Sequence, residues 1–244
     1  MVEHETLLEK LSHYGIRGKA WQWVKSYLSD REQYVCLGGT ESTRKSIRYG
    51  VPQGSILGPL FFIIYINDLP RISGLAKFIL YADDANIIIT GDNMTEIEEH
   101  LSRLIPGAVN WVNGNGLLLN LKKTNYMIFS KRRNLSPIEL KIINITIKRV
   151  NEKKFLGVII DDKLTWKSHI NAMKTKMCRY VGILYRIKFH VPLKVRLLMY
   201  HSFVQSHLNY CCLVRGFACK SSIDSVFVKQ KKAMRAIMPG FVRY

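Results

Sequence analysis

Two adjacent aspartates, Asp83 and Asp84, stand between the apolar runs Phe78–Ala82 and Ala85–Ile89, and this arrangement constrains the fold more than any other feature of the sequence. Short apolar runs on either side of a polar pair predict a tight β-hairpin with both carboxylates at its tip. Like charges at close range repel, so a paired carboxylate tip favours a neighbouring cation. A hard divalent ion such as Mg²⁺ binds through one or two carboxylates together with substrate phosphates and water. Sites of that kind run phosphoryl or nucleotidyl transfer. Taken alone, Asp-Asp is more often an ordinary polar turn, because Asp is a common turn residue.

Around this hairpin the chain alternates helical and strand-like patterns. Leu7, Leu8 and Leu11, then Ala20, Trp23, Val24, Tyr27 and Leu28, predict two amphipathic helices about a Gly15–Gly18 turn. Trp21, Trp23 and Tyr27 read first as core packing and second as base-stacking groups. A hairpin is expected from Gln33–Leu37 and Lys45–Tyr49 around Gly38-Gly39. A Gly/Pro-punctuated loop, Gly50–Pro59, then leads into a helix through Ile66 that starts at Pro59. Asn93 and Glu96 form a capping pattern for a helix through Leu104, which Pro106-Gly107 should kink or end before Trp111. Strands are expected at Tyr126–Phe129 and Phe155–Ile160. Ile170, Met173, Met177, Val181 and Leu184 mark a long helix, with Arg179 and Arg186 on its opposite face.

With 48% hydrophobic residues among 244, the chain can bury a sizeable core. Its formal charge of +19 is unevenly placed: Lys122–Tyr244 holds 26 basic and 5 acidic side chains, Met1–Leu121 holds 11 and 13. The basic half is therefore the expected contact for a polyanion such as nucleic acid. Five cysteines without a C-x-x-C pair imply reduced thiols and an intracellular setting, in nucleus or cytoplasm. The longest apolar stretch, Ile56–Ile66, is interrupted by Gly58 and Pro59 and too short to span a bilayer, so no membrane partner is expected. His201, His207, Cys211 and Cys212 match no compact finger spacing, and zinc is not expected.

The motifs around the aspartates resemble those of a known family. Tyr81-Ala82-Asp83-Asp84 is similar to the tetrapeptide of the reverse transcriptase palm. Gly50-Val-Pro-Gln-Gly-Ser-Ile-Leu-Gly-Pro-Leu60, followed by Tyr65-Ile-Asn-Asp-Leu-Pro70, is similar to the family's preceding motif. Asn120-Leu-Lys-Lys-Thr124 with Met127 and Phe129 resembles its lysine-bearing motif. Phe155-Leu-Gly-Val-Ile-Ile-Asp161 through Trp166 and His169 resembles the primer grip of non-LTR (LINE or jockey-like) retrotransposon enzymes. Gln230-Lys-Lys-Ala-Met-Arg235 is similar to their thumb. The first four of these, in order along the chain, are far more specific than any one of them.

The resemblance implies an α/β (α+β) fold: a polymerase palm with an antiparallel sheet and flanking helices over 1–150, then a primer-grip and mainly helical thumb region over 151–244. It implies an RNA-directed DNA polymerase that adds deoxynucleotides to a DNA primer on an RNA template with Mg²⁺, or alternatively Mn²⁺. Asp83 and Asp84 would be catalytic metal ligands. Pro52, Gln53 and Gly54 would meet the incoming nucleotide and template, Lys123 would sit by the triphosphate as a proton donor to pyrophosphate, and Phe155, Leu156 and Gly157 would hold the primer end.

In the family a further aspartate lies on an earlier strand, and Val2-Glu3-His4 resembles the segment that follows it. The expectation is that the fingers and first palm strand are missing, that Glu3 and Glu5 do not replace the missing carboxylate, and that the isolated chain is inactive. Two other readings stay open: a non-catalytic basic nucleic-acid-binding remnant, and a generic basic face whose aspartates are structural.

Overall fold

The computed structural model describes residues 2–132 and 138–238. They divide into two compact units, Met1–Thr124 with Ser136–Ile147, and Asn125–Leu135 with Lys148–Tyr244. Helices and small sheets are mixed; every sheet among the described residues is two-stranded.

In the first unit, α1 (His4–His13) and α2 (Gly18–Leu28) form where the leucine spacing predicts them. Leu7, Leu8, Leu11, Val24 and Leu28 enter one core with Phe61, Tyr65 and Ile66. Burying a side chain of this size contributes roughly 1.5–3 kcal/mol. Trp23 departs from the expectation of core packing: it is 57% exposed and stacks on Tyr27 at 5.6 Å. It lies just off the buried stripe, on a helix whose apolar residues outnumber the positions its core can take.

The expected hairpin over 33–49 is a two-part ladder. β1 (Glu32–Gln33) pairs with β4 (Lys45–Ser46), and β2 (Cys36–Leu37) with β3 (Thr40–Glu41), around a Gly38-Gly39 turn. Ser42 separates the two parts, because its N–H donates to Val35 O and its hydroxyl accepts from Val35 N. After the loop comes α3 (Leu57–Ile66), two residues earlier than expected, with Pro59 in the first turn where its missing N–H costs nothing. A 3₁₀ turn (Leu69–Ile72) leads to β5 (Ala76–Tyr81) and β6 (Asp84–Ile89), which pair antiparallel.

α4 spans Met94–Gly114 and carries Pro106 inside it, so the helix passes the position where Pro-Gly was expected to kink or end it. Its N-terminus has the predicted cap: Glu96 N–H donates to Asn93 Oδ1 at 2.9 Å, and Glu96 Oε2 accepts from Asp92 N–H at 2.8 Å. Next come four two-residue strands, β7 (Asn125–Tyr126), β8 (Lys141–Ile142), β9 (Ile145–Thr146) and β10 (Lys148–Arg149). β8 and β9 form a hairpin of the first unit, while β7 and β10 pair in parallel in the second.

The second unit corrects one expectation: Phe155–Ile160 is not a single strand. β11 (Glu152–Phe155) and β12 (Val158–Asp161) are two arms of a hairpin that turns at Leu156-Gly157. α5 (Lys167–Ile187) buries the predicted stripe Ile170, Met173, Met177, Val181 and Leu184, and leaves Arg179 and Arg186 exposed. α6 (Leu193–Tyr200), a π-helical turn (His201–Gln205), α7 (Ser206–Asn209), α8 (Cys212–Arg215) and α9 (Lys220–Ile237) follow. α9 buries Ala233, Ala236 and Ile237 in a core shared with Met177, Leu184 and Val204. Among the described residues no helix is long and apolar enough to cross a membrane.

Candidate nucleotidyl-transfer site

The β5–β6 hairpin turns through two residues, Ala82 and Asp83, since Tyr81 pairs with Asp84. Ala82 takes a left-handed φ of 49°, a conformation that costs an L-residue with a side chain roughly 1–2 kcal/mol. Asp83 therefore sits in the turn and Asp84 opens β6; both are exposed. Neither carboxylate makes an ion pair or side-chain hydrogen bond among the described residues. Two carboxylates in water, side by side and without a basic partner, are hard oxygen ligands suited to a divalent ion. No cluster of three or more His, Cys, Asp or Glu forms among the described residues, so these two would share such an ion with phosphate or water.

Pro52, Gln53 and Gly54 form a second turn in the same unit. Ser55 N–H and its hydroxyl both donate to Pro52 O, at 3.4 and 2.7 Å. Gly54, third in the turn, takes a left-handed φ of 78°, which glycine adopts without strain. Gln53 and Gly54 are exposed at its tip. Two residues that the sequence reading did not single out hold this turn. Ser55 Oγ accepts from Gly58 N–H at 3.0 Å, and a Cβ at Gly58 would fall 2.9 Å from Pro52 O. The small residue that lets α3 start this close to the loop was visible in the sequence only as an interruption of an apolar run. The loop's other end is tied to the N-terminus: Gly50 N–H donates to Val2 O at 2.6 Å, His4 Nε2 lies 2.8 Å from Gly50 O, and Glu3 bridges to Tyr49.

Lys123 is exposed in a turn organised by Asn120, whose carbonyl accepts from Lys123 and Thr124 N–H at 3.0 Å each. Phe155 and Leu156 are half-buried and Gly157 exposed, at the β11–β12 turn in the second unit. Beyond that hairpin Asp161 organises the entry to α5. Its carboxylate accepts from Lys163, Thr165 and Trp166 N–H and from the Thr165 hydroxyl, at 2.9–3.2 Å. Burial raises the Asp161 carboxyl, but these donors outweigh burial and hold it below the usual carboxylate range. His169, 8% exposed, accepts from Ile159 N–H at 3.4 Å. Burial, then the charges of Arg215 and Lys176, push its imidazole down. The sequence-predicted residues thus lie on separate turns: Pro52–Gly54, Ala82–Asp84 and the Lys123 loop in the first unit, and Phe155–Gly157 in the second.

Residues 1–160 match the reverse transcriptase (RNA-dependent DNA polymerase) family, and the chain belongs to it. The chain is also similar to polymerases of transposable elements. It is 29% identical over 226 residues, 88% of this chain, to a probable RNA-directed DNA polymerase from transposon X-element of Drosophila melanogaster. It is 28% identical over 234 residues, 90% of the chain, to the RNA-directed DNA polymerase from mobile element jockey of the same species, and 29% over 267 residues, 99% of the chain, to a probable RNA-directed DNA polymerase from transposon BS. The chain spans about a quarter of the length of these relatives, 24%, 25% and 28% respectively.

Proposed function

We propose that this chain supplies the palm-side carboxylates, nucleotide-facing turn and primer grip of an RNA-directed DNA polymerase. The observation that carries the reading is Asp83 and Asp84, exposed together at a hairpin tip with no basic partner among the described residues. The reverse transcriptase family acts on template and primer with dNTPs and depends on divalent metal. Here Asp83 and Asp84 would hold Mg²⁺, with Mn²⁺ as the alternative. The bound cation supplies positive charge that stabilises developing negative charge on phosphate oxygens. In the reaction the primer 3′-oxygen bonds to the α-phosphorus of the incoming nucleotide and pyrophosphate leaves. The Pro52–Gly54 turn lets backbone approach the nucleotide and template base. Lys123 carries a proton that can pass to pyrophosphate, and Phe155, Leu156 and Gly157 hold the primer end. The palm reading covers 1–150 and the primer-grip and thumb reading 151–244.

Two carboxylates are fewer than a two-metal centre uses, and the β5–β6 sheet has no third strand among the described residues. The expectation to test is that the 244-residue chain by itself does not extend a primer. The test is primer extension on an RNA template with Mg²⁺ by three proteins: this chain, its Asp83→Asn variant, and a fusion that adds an aspartate-bearing strand from a relative upstream. Extension by the fusion alone, abolished by Asp83→Asn within it, is the expected result. Extension by the bare chain would overturn the incompleteness argument. Silence in all three would favour a second reading, a nucleic-acid-binding remnant. One observation speaks for that reading: Lys153, Lys154, Arg179, Arg186, Lys231, Lys232 and Arg235 are all exposed in the basic second unit. Affinity for primer-template should then fall linearly on a log–log plot against salt.

A further inference from the structure

The turn between β11 and β12 is held from outside its own hairpin. Leu156 and Gly157 take φ values of 45° and 85°, the double left-handed pattern of a type I′ turn. The alternative two-residue turn, type II′, differs mainly by a flip of the peptide between the two central residues. That peptide carries Leu156 O. Tyr210, 54 residues onward, donates its hydroxyl to this same oxygen. Its ring also lies against Gly157, where an added Cβ would fall 3.3 Å from Cε1 and 3.5 Å from the hydroxyl oxygen. The two contacts reach one peptide unit from one side. Because a trans peptide points its C=O and N–H in opposite directions, turning Leu156 O toward Tyr210 turns Gly157 N–H away from it. A backbone N–H presented that way can donate to a phosphate oxygen.

Tyr210 is placed for this by a break in the helical run. After α7 it adopts an extended ψ of 121°, and Cys211 follows at φ 49°. Arg215 ties the same segment down, its guanidinium donating to His207 O at 2.9 Å and touching Met173 Sδ. Tyr210 itself is 51% exposed, so its position reflects these contacts more than burial.

We propose that Tyr210 is a positioning residue for the primer 3′ end: it locks the Leu156–Gly157 peptide in the orientation that presents the turn to the primer. The proposal rests on the primer-grip reading of Phe155–Gly157. The test uses the 244-residue chain and Tyr210→Phe, which keeps the ring and removes the hydroxyl. Hydrogen exchange of the peptide spanning 152–161 reads the lock. Photo-crosslinking from a primer whose 3′-terminal nucleotide is photoreactive reads the grip. The expected result is exchange about fivefold faster at the turn, on the scale of one lost hydrogen bond, with crosslinking to 152–161 reduced severalfold. Exchange in α5 should be unchanged. Equal exchange and equal crosslinking in both proteins would overturn the proposal. Absence of any crosslink to 152–161 in the unsubstituted chain would overturn the primer-grip reading and with it the primer role of Tyr210; a surviving exchange difference would identify that failure as one of function, with the lock intact.

Discussion

Lys10 Nζ lies 2.8 Å from Asp68 Oδ1 and donates as well to Tyr65 O at 2.7 Å. The ammonium also sits 4.9 Å from the centroid of the Tyr65 ring and 5.0 Å from that of Trp111. One cation thus satisfies a helix-end carbonyl, a carboxylate and two aromatic faces at the junction of α1, α3 and α4. Lys10→Met keeps the aliphatic length but removes all four interactions. It should destabilise the chain by about 2 kcal/mol, the scale of a lost charged hydrogen bond. Urea melts would check it: the midpoint should fall with an unchanged slope, and a shift no larger than that of exposed Lys19→Met would contradict it.

The Pro52–Gly58 loop predicts a contrast between two glycine substitutions. Gly54→Ala adds only backbone strain, because nothing lies within 4 Å of its Cβ position. It should cost about 1–2 kcal/mol. Gly58→Ala places a methyl 2.9 Å from Pro52 O and 3.0 Å from Ser55 Oγ, so it must displace the turn itself. Proteolysis within 50–58 should accelerate for Gly58→Ala and change little for Gly54→Ala. Equal susceptibility would mean that Ser55 does not hold the loop.

His169 gives a pH dependence of definite sign. Its folded pKa lies below the ordinary 6.5 because of burial and the nearby Arg215 and Lys176 charges. The unfolded chain therefore binds the proton first, and stability is complete above about pH 6.5 and is lost as pH falls. Asp161, also lowered, from 3.8, extends the loss to a second, more acidic window. Thermal melts between pH 5 and 7.5 should show the first decline in the unsubstituted chain and a flatter profile in His169→Asn. A decline of equal size in both would assign it elsewhere.

Cys219 caps the start of α9, and hydrogen bonds from the Ser221 and Ser222 side chains lower its thiol to about 7. Thiolate, not thiol, is the nucleophile. Iodoacetamide should therefore label Cys219 ahead of Cys36, Cys178 and Cys212, which are also exposed, with a half-maximal rate near pH 7. Ser222→Ala should move that midpoint upward. Peptide mapping that found all four labelled at one rate would contradict the assignment.

The helices α1, α2 and α5 are legible in the sequence because their buried residues recur at helical spacing and the core accepts nearly all of them. Trp23, like Ala20, is exposed because α2 carries more apolar residues than its neighbours cover. The Asp83–Asp84 hairpin is legible because both arms and the turn lie within fourteen residues, from Ala76 to Ile89. Phe155–Ile160 reads as one strand because Leu156 is apolar, and Gly157 is the one local sign of a turn that bends left-handed at φ 45° and 85°. What fixes that bend is Tyr210, a partner too distant in the chain to leave a pattern. The same holds for His4 with Gly50 and Tyr65 with Asn115, whose hydroxyl-to-carbonyl bond of 2.5 Å spans 50 residues.

The β5–β6 ladder carries a further consequence, for solubility. Ile79, Tyr81 and Ile88 share its outer face and are 40%, 61% and 44% exposed, and no other strand pairs with either arm among the described residues. An apolar strand with open N–H and C=O groups is a template for another copy of itself. The charges within the arms are only Lys77 and Asp84, one at each end of that face, so the middle of the ladder has no gatekeeper. Neutralising the tip with Asp83→Asn and Asp84→Asn should therefore lower the concentration at which the protein self-associates: the carboxylates proposed to attract metal also keep copies of this hairpin apart.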